Sequence, residues 1–84
     1  MQESELGSFN LDEENISYIK SALNKVGLEP KGKIRKVSET NSYECKLGKG
    51  GFSVVSFSNL QKILNCTISF YCESSGLLVF FYFN

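Results

Sequence analysis

Cys66-Thr67-Ile68-Ser69-Phe70-Tyr71-Cys72-Glu73-Ser74-Ser75-Gly76-Leu77-Leu78-Val79-Phe80-Phe81-Tyr82-Phe83 is the stretch on which the fold turns. In its first part Cys66, Ile68, Phe70 and Cys72 alternate with Thr67, Ser69 and Tyr71, the period-two pattern of a strand with one face in a core and one toward water. Glu73-Ser74-Ser75-Gly76 supplies a short turn, and 77–83 returns as a strand apolar on both faces. A strand of that kind needs two covers. In a chain of 84 residues the helices suffice for one side of a sheet and part of the other, which leaves Leu78, Phe80 and Tyr82 in need of something to lie on them.

Upstream, Ser58-Asn59-Leu60-Gln61 reads as the start of a short helix through Asn65 that buries Leu60, Ile63 and Leu64. Before it, the glycine-rich break at Gly48, Gly50 and Gly51 leads into Phe52, Val54, Val55 and Phe57, expected as a third strand. Lys33-Ile34-Arg35-Lys36-Val37 and the alternation of Tyr43, Cys45 and Leu47 with Ser42, Glu44 and Lys46 read as a hairpin, turning through 38–41. Further back, Ile16, Ile19, Leu23 and Val26 recur at steps of three and four, one stripe on a helix over about 11–26. Asn10 and Glu13 fit a capping box, Gly27 supplies the left-handed residue that ends a helix, and Pro30 prevents its restart. Residues 1–9 lack periodicity and are expected as a flexible tail before a single domain at 10–84. The pieces add up to an α+β fold in the order α-β-β-β-α-β-β, with an antiparallel sheet of four to five strands, a long N-terminal helix on one face and one short helix.

Composition removes most active sites. The chain has no His and no Trp, so Ser/His and Cys/His nucleophile pairs and histidine zinc sites cannot be built. Its three cysteines, Cys45, Cys66 and Cys72, are an odd number, which favours free thiols and an intracellular, cytoplasmic or nuclear, setting. Cys66 and Cys72 stand six positions apart, about 20 Å along one strand at the usual rise, too far to bridge or share a metal; all three are expected as small core hydrophobes. The first residues carry Glu3 and Glu5 without a basic or apolar signal region, and the longest apolar run, 77–83, is far short of the roughly 20 residues of a membrane helix. No membrane, cofactor, metal or small-molecule substrate is expected, and no enzyme: Glu39, Glu44 and Glu73 are scattered, with no second acid or base at catalytic spacing.

Leu47-Gly48-Lys49-Gly50-Gly51-Phe52-Ser53-Val54-Val55 resembles the glycine-rich loop of protein kinases, with Ser53 where that loop has its third glycine. The resemblance covers nine residues; the H-R-D and D-F-G motifs and the catalytic lobe are missing, so the stretch is read as a glycine-rich turn between two strands. The helix-strand-turn-strand run of 58–83 is similar in pattern to a closing segment of sliding-clamp domains, without a residue-specific motif, and no function is carried over from it.

Nine Lys plus Arg balance nine Asp plus Glu, but unevenly along the chain. Acids alone occupy residues 1–19, and Lys20, Lys25, Lys31, Lys33, Arg35 and Lys36 face only Glu29 over 20–36. Lys31, Lys33, Arg35 and Lys36, joined by Lys49, form a candidate anion site that would grip nucleic acid or another polyanion through phosphates. The pI near 6.2, the single Arg and aromatics that do not interleave with the basic run weigh against it. The favoured expectation is a small protein-binding module, a homodimer or the subunit of a larger complex, that associates through Leu78, Phe80 and Tyr82 or by strand addition at a sheet edge.

Overall fold

A computed structural model of the chain describes residues 2–48 and 52–83, with side chains from Leu11 onward. The elements are α1 (Gln2–Lys25), β1 (Arg35–Val37), β2 (Ser42–Leu47), α2 (Val54–Leu64), β3 (Thr67–Glu73) and β4 (Gly76–Tyr82). The four strands make one antiparallel sheet in the order β1-β2-β4-β3, so the fold is α+β as the sequence indicates. Because β4 lies antiparallel to both β2 and β3, those two strands run parallel on either side of it, joined through α2.

Register sorts the side chains. Tyr43, Cys45 and Leu47 pair with Phe81, Val79 and Leu77, and Ile68 pairs with Phe81 from the other side. These residues share one face of the sheet, are all buried, and cluster with Ile19 and Leu23 of α1 and Leu60 and Leu64 of α2. Both helices therefore lie on that face. The predicted stripe holds: Ile19, Ala22 and Leu23 are buried, with Ile16 and Val26 partly so. Tyr18, on the rim of the stripe, donates its hydroxyl to the Ile63 carbonyl at 2.7 Å and ties α1 to α2.

The C-terminus of α1 ends as Gly27 dictates. Its φ of +79° turns the chain so that Leu28 N–H reaches the Leu23 carbonyl at 2.8 Å and Gly27 N–H the Asn24 carbonyl at 3.1 Å. That pair of bonds is the Schellman arrangement, sealed by the apolar contact between the residues at its two ends, Leu23 and Leu28, both buried. At the other end the helix extends through Asn10, whose side chain, like those of the expected tail at 1–9, lies outside the described residues.

One element differs from expectation. The segment read as a third strand is the start of α2, because Ser53 takes an extended conformation (φ −136°, ψ 172°) and its side chain accepts the Ser56 N–H. Its carbonyl then accepts Phe57 N–H at 2.9 Å, closing the first helical turn. From there Phe57, Leu60 and Leu64 fall at helical spacing toward the core, while Val54 and Val55 stay 80% and 68% exposed. The kinase-like stretch thus joins a strand to a helix rather than two strands, and Lys49, Gly50 and Gly51 within it lie outside the described residues.

Candidate interaction surface

The face of the sheet away from α1 and α2 is built by the alternate residues of each strand. β4 contributes Leu78, Phe80 and Tyr82, each half-buried, in a line along the middle of the sheet. Lys46 and Glu44 of β2 stand beside Leu78 and Phe80 on one side, and Tyr71, Ser69 and Thr67 of β3 stand beside Leu78, Phe80 and Tyr82 on the other. The Tyr71 ring, 58% exposed, meets Phe80 edge to face at a centroid separation of 5.8 Å. Among the described residues no helix covers this line, so the three residues singled out from the sequence come together on one open surface, with Tyr71 added. Only the register of β3 against β4 could have revealed Tyr71.

Charge frames the apolar line. Arg35 Nε reaches Glu44 Oε1 at 2.6 Å, and Lys46 Nζ reaches Glu73 Oε1 at 3.0 Å across β4. Gly76 faces Glu73 in the register. Glycine is required there: at φ +153°, a Cβ would stand 2.2 Å from the Leu47 carbonyl oxygen. An apolar centre with a polar rim is the anatomy of protein–protein interfaces.

The candidate anion site is distributed rather than gathered. Arg35 and Lys36 are neighbours in β1 and so point to opposite faces, Arg35 to Glu44 and Lys36 to Asp12. Lys31 donates from Nζ to the Ser75 carbonyl at 3.1 Å at the β3–β4 turn, Lys33 is exposed, and Lys49 lies outside the described residues.

On the helix-bearing side, a polar knot holds α1 to the sheet. Tyr43 Oη donates to Asp12 Oδ1 at 2.6 Å, Asn15 Nδ2 donates to Tyr43 Oη at 3.0 Å, and Lys36 Nζ lies 5.2 Å from the Tyr43 ring centroid. The Tyr43 hydroxyl, then the Lys36 charge, hold the Asp12 carboxyl below its usual range; burial, then the bond to Asp12, raise the Tyr43 phenol. The acidic and basic halves of the sequence meet at this point.

The thiols divide by depth. Burial pushes Cys45 up to about 12 and Cys66 up to about 11. Cys72 departs from the expected core position and is exposed, near the end of the edge strand β3. Beside it a cavity of about 610 Å³ opens among Phe52, Val54, Phe57, Phe70 and Leu77. Phe52, Phe57 and Phe70 pack edge to face there, with centroids 5.1–6.1 Å apart. Among the described residues no cluster of three His, Cys, Asp or Glu is placed to hold a metal, and no helix is long and apolar enough to cross a membrane. Comparison with protein-family models, curated proteins and solved structures finds no match to this chain.

Proposed function

We propose that the protein is a small non-enzymatic interaction module that holds a protein partner on the open face of its sheet. The observation that carries this reading is the unbroken line of Leu78, Phe80 and Tyr82 along the central strand, extended by Tyr71, on the face with no helix among the described residues. Burying that line would remove apolar surface from water and leave the rim pairs Arg35–Glu44 and Lys46–Glu73 at the boundary, where they set orientation more than affinity. Three free thiols support a setting inside the cell.

The double variant Phe80→Ser/Tyr82→Ser tests the reading. Its expected behaviour is a folded, soluble protein, by circular dichroism, that fails to retain a partner which the unaltered chain co-purifies in one-to-one amount. A variant that keeps the partner refutes the reading. One that loses its helical and strand signal shows the two positions to be ordinary core, with the same consequence.

A further inference from the structure

The two edges of the sheet are built differently. β1 is three residues long and carries Arg35 and Lys36, which blunts that edge against further pairing. β3, at the opposite edge, is seven residues long and pairs with β4 without interruption from Thr67 to Glu73, so no bulge twists it away. It contains no proline and no lysine, and its one charge, Glu73, sits at the end. Its middle holds Phe70 and Tyr71, 43% and 58% exposed. The outer row of backbone groups of β3 is therefore an open template, kept in shape by the packing of Phe52 and Phe57 on Phe70.

The sequence of β3 also says what fits that template. Laid antiparallel against itself, Thr67–Glu73 overlaps over its whole length only when centred on Phe70. In that register Phe70 faces Phe70, Ile68 faces Cys72, Ser69 faces Tyr71 and Thr67 faces Glu73. On the helix-bearing side every pair is then apolar with apolar; on the open side every pair brings a hydroxyl to a hydroxyl or a carboxylate. No two like charges meet, and the chain as a whole carries no net charge to oppose association.

We propose that β3 is a self-pairing edge: two copies join β3 to β3, antiparallel and two-fold symmetric about Phe70, to make one eight-stranded sheet. The contact is isologous, so it closes as a dimer and leaves only the two blunted β1 edges outward. It stands apart from the open-face reading, because the apolar lines of both copies remain free on the same side of the joined sheet.

Light scattering behind a sizing column, from micromolar to near-millimolar protein, reads the outcome. The expected mass is twice that of the 9.4 kDa chain. Phe70→Lys, which sets two ammonium groups against each other on the two-fold axis, should return it to the single-chain value, as should Tyr71→Lys at a position exposed enough to leave folding intact. Phe70→Cys in a Cys72→Ser background should give a disulfide-linked dimer on mild oxidation. Phe80→Ser/Tyr82→Ser should stay dimeric. A native chain that is monomeric throughout overturns the proposal. So does a dimer that survives Tyr71→Lys and fails to cross-link through position 70. A dimer dissociated by the Phe80/Tyr82 variant alone overturns it in favour of the open face, whereas loss of partner binding without loss of the dimer leaves both in place.

Discussion

Phe80 and Phe81 are adjacent, identical in chemistry and on opposite faces of β4, so truncating each to Ala measures what the two faces do. Phe81 is fully buried between Tyr43 and Ile68 in the register, and removing its ring leaves a cavity as well as a lost transfer term, about 3–5 kcal/mol. A domain of this length holds roughly 4–13 kcal/mol in all, at ~0.05–0.15 kcal/mol per residue. Phe81→Ala therefore consumes much of the fold's stability. Phe80 is half-buried, and its best-defined contact is the edge-to-face pair with Tyr71. Its truncation removes about half the transfer term and a ring pair of about 0.5–1 kcal/mol, in total roughly 1–2 kcal/mol. The difference of about 2 kcal/mol corresponds to about 8–16 °C in Tm for a domain of this size. Urea and thermal unfolding followed by circular dichroism at micromolar protein resolve it. Equal losses, or a larger loss at Phe80, would mean that the open face is itself core, and the interaction reading would fall with it.

Three further outcomes follow from the geometry. Gly76→Ala forces a Cβ toward the Leu47 carbonyl oxygen and should cost about 2–4 kcal/mol of overpacking and backbone strain; a urea midpoint within error of the native one would show that the β2–β4 contact yields freely. With a thiol reagent at pH 8, Cys72 should react first, Cys66 more slowly and Cys45 only as the domain unfolds; prompt native-state labelling of Cys45 would contradict its depth. Asp12 has its carboxyl lowered in the fold, so its stabilising effect is complete above the unfolded value near 3.8 and is lost as pH falls through the lower, folded one. Asp12→Asn should cost about 1 kcal/mol at neutral pH and flatten the acid limb of stability against pH. An unchanged acid limb would assign that loss to other carboxylates. Tyr43, shifted the opposite way, predicts a decline above pH 10 in both proteins.

Where local pattern and tertiary contact agree, the elements could be read from residues alone. The β3–β4 hairpin needed only the alternation of 66–72, a turn and an apolar return, and α1 needed the stripe through Ile19 and Leu23 and the glycine after it. The segment 52–57 went the other way, since Phe52, Val54, Val55 and Phe57 have the composition of a strand. The helix wins there because Ser53 caps it and because Phe57, Leu60 and Leu64 reach the core only at helical spacing. In sequence Val54 and Val55 favour a strand, and the helix reads only from Ser58 onward through Leu60, Ile63 and Leu64. The open surface was legible in part: Leu78, Phe80 and Tyr82 follow from counting faces on one strand, whereas Tyr71, the free edge of β3 and the Asp12–Tyr43 knot depend on strand order and helix placement. Local sequence does not carry those.

The strand order also sets a sequence of events. β4 is the last of the described strands along the chain, yet it occupies the middle of the sheet and pairs with both β2 and β3. Without it β3 has no strand partner, and Tyr43, Cys45, Leu47 and Ile68 lack the central residues they pair with, Phe81, Val79 and Leu77. Pairing β2 with β4 then closes a loop of about thirty residues in one step, a non-local contact that costs chain entropy before it gives anything back. The sheet is therefore expected to assemble cooperatively around β4 rather than strand by strand.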